Sequence, residues 1–267
     1  MENTNQLNKE AWDAYQDEYF KFHLMARPDY FAFFSNGGVD WQGEEHMLDM
    51  IGNVKGLKLL DTCCACDAIQ ALSWHNSGAI VTACDITPKA IEIASANAAK
   101  MNVNIEFIVE DMQTLTSVGD NQFDIVFATY PVWIQDLNEA CRNWHRVLKP
   151  GGKLLLNMDH PVLACIEADE NGLIVSKDYN HPKAEREETF DGTGISERFG
   201  GWSVDLACVC NRYRISDILN AICGAGFIIH NTHESNTLCA TEDVAEEVRN
   251  NIYLSKLPSG FTVLAYK

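Results

Sequence analysis

Basic residues are scarce in this chain: 20 Lys and Arg stand against 38 Asp and Glu in 267 residues, for a formal net charge of −18. A field of that sign repels phosphate backbones and anionic lipid headgroups, so neither nucleic acid nor a membrane surface is an expected partner. The local cations Arg142, Arg146 and Lys149 read as a solvated helix face. No apolar run approaches the roughly 20 residues needed to cross a bilayer. Met1 to Lys9 is polar and lacks the charged-then-apolar layout of an export signal, so a cytoplasmic protein is expected. Two Cys-x-x-Cys pairs, the spacing a zinc site uses, are also missing, although the chain has ten cysteines. Cys63, Cys64 and Cys66 crowd together, and Cys208 and Cys210 form a Cys-x-Cys. Without the paired spacing no metal is expected, and small buried thiols in a reducing compartment are the better reading.

Hydrophobic residues make up 46% of the chain, enough for a sizeable core, and no linker or internal repeat divides it. A single domain spanning 1–267 is the simplest organisation. Leu7, Trp12, Tyr15, Tyr19 and Phe20 fall at helical spacing within 5–23, and a second helix is expected over 43–53. From Leu57 the pattern alternates. Strands are expected at 57–61, 79–84, 105–109, 123–128 and 153–158, with helices at 68–76, 88–101 and 137–148. Pro88 suits a first helical position, Thr87 the cap before it and Asn102 the end. Apolar strands alternating with helices argue for a parallel sheet covered on both faces. The rhythm breaks over 160–205, which is rich in Gly, Glu, Asp and aromatics and has no clean period. A stretch of that length reads as a lid or binding segment. A strand at 204–213, a helix at 215–225 and strands at 227–230 and 261–266 complete the chain.

Ligands of open α/β sheets sit outside the carboxyl ends of the strands. Asp61 closes the first expected strand, Asp85 the second, and Asp111 follows the third. A carboxylate offers two acceptor oxygens. Asp85 is placed to take both hydroxyls of a ribose, and Asp111 the amino group of an adenine, with Ile86 and Met112 presenting apolar faces to the base. The Gly-x-Gly-x-x-Gly fingerprint of nicotinamide dehydrogenases is missing between the first strand and helix.

LLDTCCACDAIQALSWHNSGAIVTACDITPKAIEIASANA resembles the first half of a class I S-adenosylmethionine-dependent methyltransferase. IEFIVEDMQTL resembles that family's third strand and adenine-side loop, and FDIVFATYPVWIQDLNEACRNWHRVLKPGGKLLLN its fourth strand, helix and turn into the fifth. AGFIIHNTHE and PSGFTVLAYK resemble its closing strands, and NKEAWDAYQDEY its cofactor-capping helix. The resemblance implies a doubly wound, mostly parallel seven-stranded sheet with the last strand antiparallel. Capping helices would fill 1–55 and a substrate lid 160–205. It implies S-adenosylmethionine as cofactor and a small-molecule acceptor, with oxygen or nitrogen favoured as the methylated atom and carbon and sulfur left open. Asp61 would then anchor the first turn, Asp85 the ribose, Asp111 the adenine amine, and Ile86 and Met112 the adenine faces. Ala128 and Thr129 would line the methionine arm, and Tyr19 would reach its carboxylate from the capping helix. Thr129-Tyr130-Pro131 stands where methylases of amides and nucleobase amines carry Asn-Pro-Pro-aromatic, which points away from such targets.

The chain departs from the family in one place. Cys63, Ala65 and Asp67 occupy the Gly-x-Gly-x-Gly positions after Asp61. Cys63 and Ala65 add little bulk, whereas Asp67 adds a charge. Two carboxylates at 4 Å repel by about 4 kcal/mol at an effective dielectric of 20; against the cofactor's ammonium group the sign reverses. The alternative function is therefore a relative that has lost methyl transfer or the cofactor itself. His160, in Met158-Asp159-His160-Pro161, is the leading candidate for a base, with Tyr130 next. The plainer reading of His160 is a loop histidine bonded to nearby backbone. Tyr179, His181, Glu185, Glu188, Phe190 and Trp202 are candidates for the lid. Cys165, Cys208 and Cys210 leave open a soft metalloid or thiol-bound acceptor.

Overall fold

The computed structural model describes residues 4–169, 172–190, 203–236 and 256–267. Helices α1 (Thr4–Ala26), α2 (Tyr30–Ser35) and α3 (His46–Ile51) precede the sheet. Then come β1 (Lys58–Asp61), α4 (Ile69–Asn76), β2 (Ile80–Asp85), α5 (Pro88–Met101), β3 (Glu106–Val109), β4 (Phe123–Thr129), α6 (Leu137–Val147) and β5 (Leu148–Asp159). After the insertion follow α7 (Ile215–Gly224), β10 (Ile228–Ser235) and β11 (Gly260–Tyr266). The seven strands lie in the order β3-β2-β1-β4-β5-β11-β10, the first five parallel and β11 antiparallel between β5 and β10. This is the doubly wound sheet with a reversed last strand that the sequence resemblance implies.

Alternation along the strands builds two cores. Leu60, Val126, Leu154, Leu156 and Val263 face α6 and α7, where Trp144 and Ile222 meet them. Leu59, Phe127, Leu155 and Leu264 face the other way, toward Trp74 on α4 and Ile91 on α5. Helix α6 shows how sequence sets the packing. Leu137, Ala140, Cys141, Trp144 and Val147 form its buried stripe, and Asp136 caps it by accepting from the Glu139 amide at 3.0 Å. Helix α5 has the expected limits, and Asn102 ends it in the left-handed region. Thr87, however, does not cap it with its side chain: the hydroxyl donates to Asp85 Oδ1 at 2.8 Å.

The insertion holds more regular structure than its sequence suggests. β6 (Ile166–Asp169) pairs with β7 (Gly172–Val175), and β8 (Glu185–Glu187) with β9 (Cys208–Cys210). Strands of three or four residues are too short to display a period. Trp202 and the Gly-rich run 191–202 lie outside the described residues. Among the described residues no helix is long and apolar enough to cross a membrane, and no group of His, Cys, Asp and Glu is arranged to hold a metal.

Candidate functional site at the strand ends

Because β1 to β5 run parallel, their last residues share one rim. Asp61 ends β1, Asp85 ends β2, Asp111 lies two residues past β3, Thr129 ends β4 and Asp159 ends β5. The first three carboxylates are thus gathered on one edge of the sheet. Asp61 is fully buried; its Oδ1 accepts from the Cys63 amide at 3.2 Å and its Oδ2 has no partner. Burial lifts its carboxyl to about 7, the Cys63 amide opposing and the charges of Asp85 and Asp67 adding to the rise. Asp85 accepts from the Ala65 amide at 3.1 Å and from the Thr87 amide at 2.9 Å, and burial raises it too. Asp111 accepts from the Gln113 amide and from Asn5 Nδ2, both at 2.8 Å. Ile86 adjoins this row half-buried, and Met112 is buried, its carbonyl accepting from Trp144 Nε1. Ala128 and Thr129 are buried at the end of β4.

The loop after Asp61 turns where a glycine-rich loop would, without glycine. Ala65 and Ala68 adopt φ of 51° and 48°, the left-handed region that costs a side chain roughly 1–2 kcal/mol. Asp67 is not among the left-handed residues. Its carboxylate is buried and pairs with His23 Nε2 at 3.0 Å, while Tyr30 donates its hydroxyl to the Asp67 carbonyl. The Asp67 carboxylate therefore faces α1.

Helix α1 lies along the same rim. Asn5 bonds Asp111, Asp13 accepts from the Lys89 amide at 2.9 Å, Gln16 reaches Thr87 at 3.4 Å and His23 meets Asp67. Tyr19 is half-buried between Trp12 and His23, with ring centroids at 5.5 and 4.6 Å. Burial, then the nearby Asp67 charge, raises its hydroxyl well above the ordinary range, so it stays protonated at neutral pH. Phe190, from the insertion, is fully buried against α1, 4.7 Å from Trp12 and 5.5 Å from Tyr15. The other described lid candidates do not gather here. Tyr179 accepts from the Ile215 amide, His181 pairs with Asp178, Glu185 with Lys177 and Glu188 with Arg186.

Beside this row, at the ends of β4 and β5, a cleft of about 130 Å³ is lined by Trp41, Gln70, Thr129, Tyr130, Asn157 and Asp159 among others. Tyr130 sits in the left-handed region at φ 51° and is 41% exposed. Desolvation of its hydroxyl by neighbouring protein, then the Asp159 and Asp67 charges, drives that hydroxyl up. Tyr130 thus keeps its proton at neutral pH. Asp159 is open to water at the mouth yet walled by protein, which raises its carboxyl.

His160, one residue on, points away. It is 2% exposed, its Nδ1 accepts from the Val162 amide at 3.3 Å, and its Nε2 meets Glu234 at 3.0 Å. With Nδ1 accepting, the proton sits on Nε2. The structure therefore brings Tyr130 to the cleft but keeps His160 out of it. Asp159, which reasoning by residue type passes over, shares a strand face with Asn157, so alternation alone would have found it. A larger open groove, about 850 Å³ between Asp136–Glu139, Arg212, Tyr213 and Asp217, is lined by none of the strand-end carboxylates.

Comparison with known proteins agrees with this geometry. Residues 60–156 match the family model of a methyltransferase domain. Phosphoethanolamine N-methyltransferase 3 of Arabidopsis thaliana is 30% identical over 126 residues, 47% of this chain and 25% of that protein. Malonyl-[acyl-carrier protein] O-methyltransferase of Pseudescherichia vulneris is 27% identical over 119 residues, 44% of this chain and 45% of that protein. The chain thus spans less than half the length of these two relatives. A crystal structure of an S-adenosylmethionine-dependent methyltransferase from Mesorhizobium loti superposes with a TM-score of 0.64 at 20% identity, covering 85% of this chain and 98% of that one. The strand order and the reversed β11 between β5 and β10 give the chain the fold of class I S-adenosylmethionine-dependent methyltransferases, and its residues 60–156 match a methyltransferase domain.

Proposed function

We propose that this chain binds S-adenosylmethionine across the ends of β1 to β4 and methylates a small organic acceptor on oxygen or nitrogen. The observation that carries the reading is the row of Asp61, Asp85 and Asp111 on one rim, with the amides of Cys63 and Ala65 turned toward it. The residues present fit the cofactor. Asp61 Oδ2 is a buried acceptor with no partner, and Ala65 already holds a glycine-like conformation. Asp67 turns its carboxylate toward His23 of α1, and a protonated His23 there would offset the charge that repels a ligand carboxylate.

In this reading Asp85 holds the ribose hydroxyls, Asp111 the adenine amine, and Ile86 and Met112 flank the base. Thr129, Ala128 and Tyr19 enclose the methionine arm, and Asp61 fixes the loop. Asp85 Oδ1 is filled by the Thr87 amide and hydroxyl, but Oδ2 accepts only from the Ala65 amide and keeps a lone pair for the ribose, and Asn5 can yield its place on Asp111. The cofactor supplies an electrophilic methyl on a sulfonium. The chain contributes orientation and exclusion of water, through α1, Phe190 and the segment 160–205 acting as a lid, with the whole chain as one domain. His160 steadies the end of β5, and Tyr130 donates a hydrogen bond at the acceptor side. An oxygen or nitrogen acceptor accords with the named reactions of the two relatives. Nine described cysteines are free thiols, which suits the cytoplasm.

Calorimetric titration with S-adenosylmethionine and S-adenosylhomocysteine tests the reading. Micromolar binding of both is expected, and Asp85→Ala should weaken it at least tenfold, since charged hydrogen bonds contribute about 1.5–3 kcal/mol each. Absence of heat with either ligand overturns it. Binding without transfer to any acceptor favours a non-methylating relative.

A further inference from the structure

The cleft beside Tyr130 has a one-sided chemistry. Asp159 and Glu44 both line it, and among the described residues no Lys, Arg or His does. Asp159 makes no hydrogen bond or ion pair with any described residue, so its charge is uncompensated at the mouth of the cleft. Glu44 does have partners: Ser235 donates to it at 3.2 Å and His46 Nδ1 lies 3.2 Å away. His46 does not cancel that charge, because burial and the stacked ring of His233, 4.0 Å away, push it down to about 4 and leave it neutral. Trp41 and Tyr130 give the cleft aromatic walls, and aromatic faces attract cations. Trp41 is itself buried, and its Nε1 has no partner. Gln70 and Asn157 add neutral polar groups.

We infer that the acceptor is a compact basic amine, its nitrogen held between the carboxylates of Asp159 and Glu44 and the rings of Trp41 and Tyr130. This rests on the methyltransferase reading and narrows it to nitrogen. A phosphate or carboxylate acceptor would meet two carboxylates and no cation among the described lining residues, and a neutral alcohol would gain nothing from either charge. The amine enters protonated, which favours binding. It must lose that proton to the water at the mouth before its lone pair is free for attack.

The test supplies methyl-labelled S-adenosylmethionine with a defined mixture of phenethylamine, 2-phenylethanol and phenylacetate, their short aliphatic counterparts, and a low-molecular-weight metabolite extract. Products are separated on cation and anion exchangers at neutral pH. Label retained on the cation exchanger is expected. Asp159→Asn should lower it at least tenfold, while calorimetric binding of S-adenosylhomocysteine, which also reports folding, changes less than twofold. Label in neutral or anionic products, no label at all from a protein that binds the cofactor, or an Asp159→Asn variant that labels cations normally overturns the inference. Absence of cofactor binding in the calorimeter strikes the underlying reading instead.

Discussion

Asp61 is buried with one oxygen unpartnered, and that should be visible in how stability depends on pH. Its carboxyl titrates near 7 in the folded protein against an ordinary 3.8, chiefly because burial disfavours the charge. The folded protein thus keeps this proton over a range where the unfolded chain has released it. The resulting stability is complete below about pH 4 and is lost as pH rises through about 7. At about 1.4 kcal/mol per unit, and allowing for half-titration at pH 7, Asp61 accounts for a loss of roughly 2 kcal/mol between pH 5 and pH 7. Asp61→Asn cannot titrate.

Urea unfolding of ligand-free protein, wild type and Asp61→Asn, at pH 5 and pH 7 provides the comparison. Wild type should lose about 2 kcal/mol more than the variant over that interval. The absolute stability of the variant decides nothing, because the amide places a buried donor where Oδ2 stood, at a cost of about 1–3 kcal/mol. Asp85, Asp111 and Asp159 are also raised, but they titrate in both proteins. A ligand that donates to Oδ2 favours the ionised form, so saturating S-adenosylhomocysteine should shrink the wild-type pH dependence. Equal pH dependence in the two ligand-free proteins would refute the argument.

Two further substitutions probe the loop. Ala65→Gly relieves a left-handed alanine but adds unfolded-chain entropy, so denaturation should show stability unchanged or higher by up to about 1 kcal/mol; a clear loss would mean the methyl group packs. His23→Ala leaves Asp67 buried without its partner and should lower both stability and adenosyl-ligand affinity. Adding Asp67→Asn should restore both, and a double variant as weak as the single one would show that the pair does not matter.

The central sheet was legible because its apolar runs alternate with helices of 8, 14 and 11 residues, long enough to show their period. Pro88 and Asn102 marked α5, and the runs ending at Asp61 and Asp85 marked β1 and β2. Helix α2 was hidden, since six residues hold fewer than two turns. The start of β5 was hidden too: Lys149–Gly152 reads as a turn, yet the strand runs from Leu148 through Gly151 at φ 76°. At the site the carboxylate row was legible from spacing. His160 drew attention by its chemistry, whereas strand alternation favours Asp159. His23 could not be found from the chain alone. Its place on the Tyr19 face, one helical turn on, is readable, but its meeting with Asp67 exists only once α1 docks across the rim.

That docking ties the cofactor row to the insertion. One flank of α1 holds Asp111 and Asp67 through Asn5 and His23. From α1 also comes Asn8, 4% exposed, which donates to the Val209 carbonyl at 2.9 Å and accepts from its amide at 2.7 Å, as a neighbouring strand would. Phe190 packs beside this junction on Trp12 and Tyr15. An adenosyl ligand that displaces Asn5 from Asp111 must move α1, and α1 cannot move without straining its bonds to β9. The two lids should therefore open as one. Asn8→Ala removes both bonds to Val209 and leaves two backbone groups unpaired, weakening the junction by about 1–3 kcal/mol. Hydrogen exchange should then quicken in 208–210 and along α1 together, and ligand association, followed by Trp fluorescence, should speed up. Faster exchange confined to β9, with α1 and the association rate unchanged, would mean that the insertion moves independently of the cofactor row.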